Sequence, residues 1–208
     1  YITWDLDHSF WDVYRDRSER DPWLKESWEH VYKLRSDPNY SLWRNRGDAR
    51  SLIFTRLMNH SPVYRARFIR YTIDMLNHRL TEAFFAGRIT RYEELARSFG
   101  YTDFAFAADY REFVRRRPAL LREGLQRLFN PGSVRRVEVR VPAGTPLRID
   151  GFEETGPYVG YYFEGQTLDI AAADGIAGWT VNGTAAGPEP GLARAVDGDW
   201  LVAPVPAR

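Results

Sequence analysis

Phe129-Asn130-Pro131-Gly132-Ser133-Val134-Arg135-Arg136-Val137-Glu138-Val139-Arg140-Val141 is the stretch in which the apolar period of this 208-residue chain changes. Before it, apolar residues recur at helical spacing, as in Leu121, Leu125 and Leu128. After it, Val137, Val139 and Val141 alternate with charged residues, the period of a strand with one buried face. Asn-Pro-Gly between the two breaks a helix, because proline lacks the N–H a helix needs and glycine admits left-handed backbone. The chain therefore reads as α+β, with a helical part over residues 1–130 and a small all-β module over residues 134–208.

Downstream, Val137 to Val141 and Leu147 with Ile149 are expected to form a hairpin around Pro142-Ala143-Gly144. Tyr161-Tyr162-Phe163, Thr167 to Ile170, Trp179 to Val181 before Asn182-Gly183, and Trp200 to Val202 extend it into an antiparallel, sandwich-like module. The module carries no His and no acids paired at metal spacing. Upstream, Ser61-Pro62 has the N-cap and first-turn pattern of a helix, with Tyr64, Phe68, Tyr71, Met75 and Leu80 along one stripe, running to about Phe84 before Gly87. Thr90 and Glu93, at capping-box spacing, open the next helix, which ends at Gly100. Phe106 to Val114 forms another, and Pro118 starts the last.

Charge and length bound the function. Twenty-nine basic residues against 28 acidic ones leave a net charge of +1, which argues against a dedicated nucleic-acid binder. Arg115-Arg116-Arg117 and Arg135-Arg136 read as solvated charge beside helix ends and connections. Cysteine is absent, so disulfides and cysteine metal sites are excluded. No apolar run is long enough to span a membrane. Trp11, Trp23, Trp28 and Trp43, in the polar stretch 8–50, are expected to be at least partly buried. Residue 1 is Tyr and a strand begins at once, so the chain is expected to be the carboxy-terminal part of something longer.

Chemistry concentrates at the start. Tyr1-Ile2-Thr3-Trp4-Asp5-Leu6-Asp7 reads as a strand ending in two carboxylates one residue apart, which leave an extended backbone on the same face. Their repulsion is settled either by a neighbouring Arg, in a structural strand end, or by a hard divalent cation such as Mg²⁺ that also holds phosphate oxygens. His8 follows directly and either lines the same pocket or, more readily, makes a loop hydrogen bond. His60 and His78 read as helix-end or surface residues. Gly-x-Ser-x-Gly, Gly-x-Gly-x-x-Gly and a Walker lysine are all missing.

Trp4-Asp5-Leu6-Asp7-His8-Ser9-Phe10 resembles the Trp-Asp-x-Asp-x-x-Phe segment of the spore-coat CotH family of atypical protein kinases. The segments that follow keep the family's order. Arg56-Leu57, Asn59, Pro62, Tyr64-Arg65 and Arg67-Phe68 come first, then Phe113 to Pro118, then a terminal module with the Val139 to Gly165 pattern. The resemblance implies the helical, C-lobe-like part of an atypical kinase fold, with Asp5 and Asp7 as metal and cofactor ligands for Mg²⁺ and ATP, Asp5 foremost. It also implies a protein Ser/Thr substrate and an extracellular or cell- or spore-surface location, a cytoplasmic one remaining open. In such kinases the phosphate-pairing lysine and the catalytic base precede the metal Asp, so catalytic residues are expected upstream of residue 1 and this fragment alone is expected to be inactive. Two other classes remain open: a metal-dependent glycosyltransferase, which the lack of βαβ alternation disfavours, and a non-catalytic coat or surface protein whose β module binds a neighbour or a glycan.

Overall fold

A computed structural model describes residues 56–207, apart from 103, 172–174 and 188. Asp5, Asp7, His8 and the four tryptophans Trp11, Trp23, Trp28 and Trp43 lie outside the described residues. Within them the protein is a mixed α+β structure. A helical turn over 56–60 leads to α1 (Pro62–His78), α2 (Glu82–Ser98) and α3 (Ala105–Phe129), and nine strands follow. The chain divides into two compact units, one holding residues up to Phe68 with Leu80–Leu128, the other Ile69–Arg79 with Phe129–Arg208.

In the first unit the Ser61 hydroxyl accepts the Tyr64 N–H at 3.2 Å, the cap expected from Ser-Pro. Arg65 donates to the carbonyls of Met58 and Asn59, satisfying the end of the preceding turn. The second helix does not start at Thr90. Thr81 is its N-cap, accepting the Phe84 N–H, so the helix expected to run to Phe84 ends at His78 and both Gly87 and Thr90 lie inside α2. A helix-interior Gly costs only about 1 kcal/mol, less than an unbroken amphipathic helix returns. Glu93 holds no cap. Its carboxylate takes both guanidinium nitrogens of Arg111 at 2.8 and 2.9 Å, tying α2 to α3. Gly100, at φ +85°, closes α2 as expected. Pro118 starts nothing, because α3 runs through it from Ala105 to Phe129, and Arg115 to Arg117 are mid-helix residues.

The second unit is built on two sheets. The five-stranded sheet has the order β4 (Tyr158–Phe163), β1 (Val134–Val139), β9 (Trp200–Pro206), β6 (Ile176–Val181), β7 (Thr184–Ala185). The four-stranded sheet runs β3 (Phe152–Thr155), β2 (Pro146–Ile149), β5 (Thr167–Ile170), β8 (Leu192–Ala195). One face of each is buried, through Val137, Val139, Leu147, Ile149, Leu168, Ile170, Trp179 and Val202. Pairing is antiparallel except between β1 and β9, which run parallel. The expected hairpin around Gly144 does not form: β1 and β2 lie in different sheets, and the Pro142–Thr145 turn carries the chain from one to the other. Alternation fixes which face of a strand is buried but not its partner. Asn182-Gly183, at φ +51° and +80°, makes the β6–β7 hairpin, and Asp150-Gly151, at +54° and +83°, makes the β2–β3 hairpin.

The second half of α1 belongs to this β unit. Ile69, Ile73 and Leu76 are its buried apolar residues, while Tyr71, expected on the buried stripe, is exposed. Asn77 meets the edge strand β4 with its amide, donating to the Tyr161 carbonyl and accepting the Tyr161 N–H, both at 3.0 Å.

Candidate functional site

Arg70, Asp74 and His78 stand four residues apart on α1, so their side chains share one face of the helix. The β unit answers that face with one carboxylate at its centre. Asp150 sits in the left-handed region at the first corner of the β2–β3 turn, a position asparagine and aspartate tolerate better than most residues, and its side chain is 0% exposed. Oδ1 accepts the Asp169 N–H at 3.0 Å and meets Arg70 at 2.8 Å. Oδ2 accepts the Tyr162 hydroxyl at 2.7 Å and faces His78 Nε2 at 3.5 Å. The other ring nitrogen of His78, Nδ1, lies 2.8 Å from Glu154.

The surrounding groups complete the network. Arg70 pairs with Asp74 and donates to the Thr167 carbonyl. Its Nε lies 2.8 Å from Asp74 Oδ1 but points its proton at Oδ2, which leaves Oδ1 buried without a well-formed hydrogen bond. Tyr158 and Tyr162 share a hydroxyl–hydroxyl bond of 2.7 Å. This requires Tyr158 to lie across Gly160, where a Cβ would come within 2.3 Å of the Tyr158 hydroxyl. The His78 ring is sandwiched between Phe152, at 4.6 Å, and Tyr158, at 5.4 Å, with Arg79 also set over the Phe152 ring.

Electrostatics follow from this packing. Burial opposes the charged form of His78, but hydrogen bonds to Asp150 and Glu154 and their negative charge outweigh it and raise its pKa above the ordinary 6.5. Burial likewise opposes ionisation of Asp150, yet His78, Tyr162 and Arg70 together hold its carboxyl below the usual range. Asp74 goes the other way, raised chiefly by burial with Arg70 pulling against it. Burial pushes both tyrosines up, so they act as neutral hydrogen-bond donors.

Asp74, His78 and Asp150 offer ligand-type atoms within 4.8 Å of one another. They do not suit the Mg²⁺ of a kinase. The Arg70 guanidinium already contacts both carboxylates at 2.8 Å, and Mg²⁺ demands an oxygen shell with retained waters rather than an imidazole. Arg70 already supplies the positive charge that the two aspartates would otherwise draw from a metal ion. In the first unit, a groove of about 470 Å³ lined by Ile89, Tyr92, Leu95, Phe99, Tyr101 and Phe104 presents aromatic and aliphatic faces, and its carboxylate, Glu93, is engaged by Arg111.

His78, expected at a helix end or on the surface, does end α1, where it is buried and paired, and His60 is exposed. Arg70, Asp74, Asn77 and Asp150 join His78 at this face, although none sits in a recognisable motif. The repeat of charged and polar residues at positions 70, 74 and 78 was a usable signal for a committed helix face. Asp5 and Asp7 fall outside the described residues, so nothing here brings them to this cluster.

These observations define a mixed α+β protein with an Asp-x-Asp motif at residues 5–7 of its sequence and a β module that takes part of α1 into its core. The model of the CotH kinase protein family matches residues 1–127, and the chain belongs to that family as a kinase-like protein. No curated protein and no solved structure matches it. Among the described residues no helix is long and apolar enough to cross a membrane.

Proposed function

We propose that this chain supplies the metal-binding strand end and helical part of an atypical protein kinase that transfers the γ-phosphoryl group of ATP to a protein Ser or Thr. The observation that carries the reading is the family match over residues 1–127, which includes Trp4-Asp5-Leu6-Asp7. Phosphoryl transfer depends on positioning and charge neutralisation, and a carboxylate after a strand commonly holds the Mg²⁺ that bridges nucleotide phosphates. Asp5 is the first choice for that ligand and Asp7 the second. In such kinases the lysine that pairs with phosphate and the catalytic base come before the metal Asp in the chain. A surface location, with protein partners met through the β module, accompanies this reading.

The test uses a parent polypeptide that contains this chain. Replacing Asp5 by Asn preserves size and hydrogen bonding but removes the charge a hard cation requires. Mg²⁺-dependent nucleotide binding and phosphoryl transfer are expected to fall by at least about a hundredfold, roughly 2.7 kcal/mol in transition-state stabilisation, with the melting profile unchanged. Transfer at the parent's rate would overturn the assignment of Asp5.

The position of the β module favours a second reading, a non-catalytic coat or surface scaffold. Strands β1 to β9 lie outside the matched range and form a compact unit of their own with part of α1. A parent lacking both a lysine-bearing strand and an upstream catalytic Asp would favour that scaffold.

A further inference from the structure

We infer that His78 is a pH-governed latch, which in its imidazolium form fastens the Ile69–Arg79 segment of α1 to the β unit and releases it when the ring loses its proton. The geometry favours the charged ring, with a carboxylate 2.8 Å from Nδ1 and another 3.5 Å from Nε2. Nδ1 faces Glu154 and Nε2 faces Asp150, and both partners are carboxylates, which only accept. A neutral imidazole has one N–H, so in a site where the His78 side chain is 0% exposed it would turn a bare lone pair toward an anion. The rings of Phe152 and Tyr158 stacked on either side further favour a cation between them.

Every charged group around the ring bears on its release. On α1 itself, Arg70 and Asp74 form a pair of their own, and just past its end Arg79 stands over the Phe152 ring. The β2–β3 turn contributes Asp150, β3 contributes Glu154, and β4 contributes Tyr158 and Tyr162, which stay neutral. Strand β5 contributes the Asp169 N–H and the Thr167 carbonyl, and carries the Asp169 carboxylate. With His78 protonated, two cations meet three carboxylates. Without that proton, Arg70 is left to Asp74 and Asp150, Glu154 loses the charge of His78, and the carboxylates repel.

The sign is set by the raised pKa of the folded state. The fastening is complete below the unfolded value near 6.5 and is lost as pH rises through the higher folded value. Each unit by which the folded pKa exceeds the unfolded one weakens closure about tenfold on the alkaline side.

Hydrogen exchange on the full chain reads the latch through two amides, the Tyr161 N–H held by Asn77 and the Asp169 N–H held by Asp150. Their protection factors, corrected for intrinsic exchange, are expected to fall at least about tenfold between about pH 6 and about pH 9. The ¹⁵N shifts of the His78 ring are expected to report both nitrogens protonated at the acid end. Glu154→Gln removes one acceptor charge and is expected to move the fall to lower pH. His78→Gln is expected to give low protection that does not vary with pH. Protection that is constant across the range with a neutral His78 tautomer at about pH 6.5 would overturn the inference; this needs only the unmodified chain. Zn²⁺ that restored alkaline protection in the unmodified chain but not in Asp74→Asn would also overturn it, since the cluster would then be a cation site.

Discussion

At the scale of single residues, Asp150 shows how a turn position becomes an electrostatic centre. Its left-handed φ fixes the backbone, and the short side chain then has two oxygens with two donors or cations on each. Asp150→Asn keeps the turn, because asparagine accepts the same backbone region. It cannot keep the network, because its NH₂ must face either Arg70 and the Asp169 N–H or Tyr162 and His78. The expected loss is about 3 kcal/mol in urea unfolding, the range found when one partner of a buried pair is removed; a loss below about 0.5 kcal/mol would show that the network holds nothing. Acid should mimic the variant. Since the folded pKa of Asp150 is lowered, its contribution is present above the ordinary value of 3.8 and disappears as pH falls through the folded value. The raised pKa of Asp74 runs oppositely and contributes less as pH rises. Of this site the sequence showed only half. Arg70, Asp74 and His78 form a stripe any helix reading can see, but Asp150 lies 72 residues beyond His78 and nothing local announces their meeting.

At the scale of elements, local signals competed and tertiary contacts chose among them. Thr81 and Thr90 both offer an N-cap hydroxyl, and Glu93 lies at the right spacing for the second; Arg111 claims the Glu93 carboxylate instead, and Thr81 caps the helix. The alternation in β1 was legible, since Val137 and Val139 are both fully buried, whereas its pairing with β4 and β9 rests on contacts no short-range pattern encodes. Asn77 is an element-level device of the same kind. Its amide presents a donor and an acceptor to Tyr161 as a neighbouring strand would, and so occupies part of the free edge of β4. Asn77→Ala leaves both backbone groups without that partner, at an expected cost of about 1–3 kcal/mol. The bared edge should also make the protein self-associate as concentration rises, which light scattering would show; a variant that stays monomeric and loses no stability would mean that the amide is incidental.

At the scale of the whole molecule, the family's range and the compact units divide the chain differently. The family match ends at residue 127, and composition changes at Asn130-Pro131-Gly132. Yet the second unit takes Ile69–Arg79 from within the matched range, and that segment carries Ile69, Ile73, Leu76, Asn77 and His78, all buried. The two divisions make different predictions for truncated chains. If residues 134–208 were an independent module, that piece would fold alone with its two sheets intact. The packing instead requires that it lack the helix covering Asp150, Tyr162 and the edge of β4, leaving a buried carboxylate without Arg70 and His78 and exposing apolar surface worth about 2 kcal/mol for each large side chain uncovered. Such a deficit is a large fraction of a small domain's stability. The piece 134–208 is therefore expected to be largely unfolded by circular dichroism and amide dispersion, and a peptide spanning residues 62–80 added in trans is expected to restore structure. A piece carrying Asp150→Asn should respond to the peptide far less, because the carboxylate that Arg70 and His78 recognise is gone. Cooperative unfolding of 134–208 by itself, unaffected by the peptide, would show that the boundary in composition is also the boundary in folding.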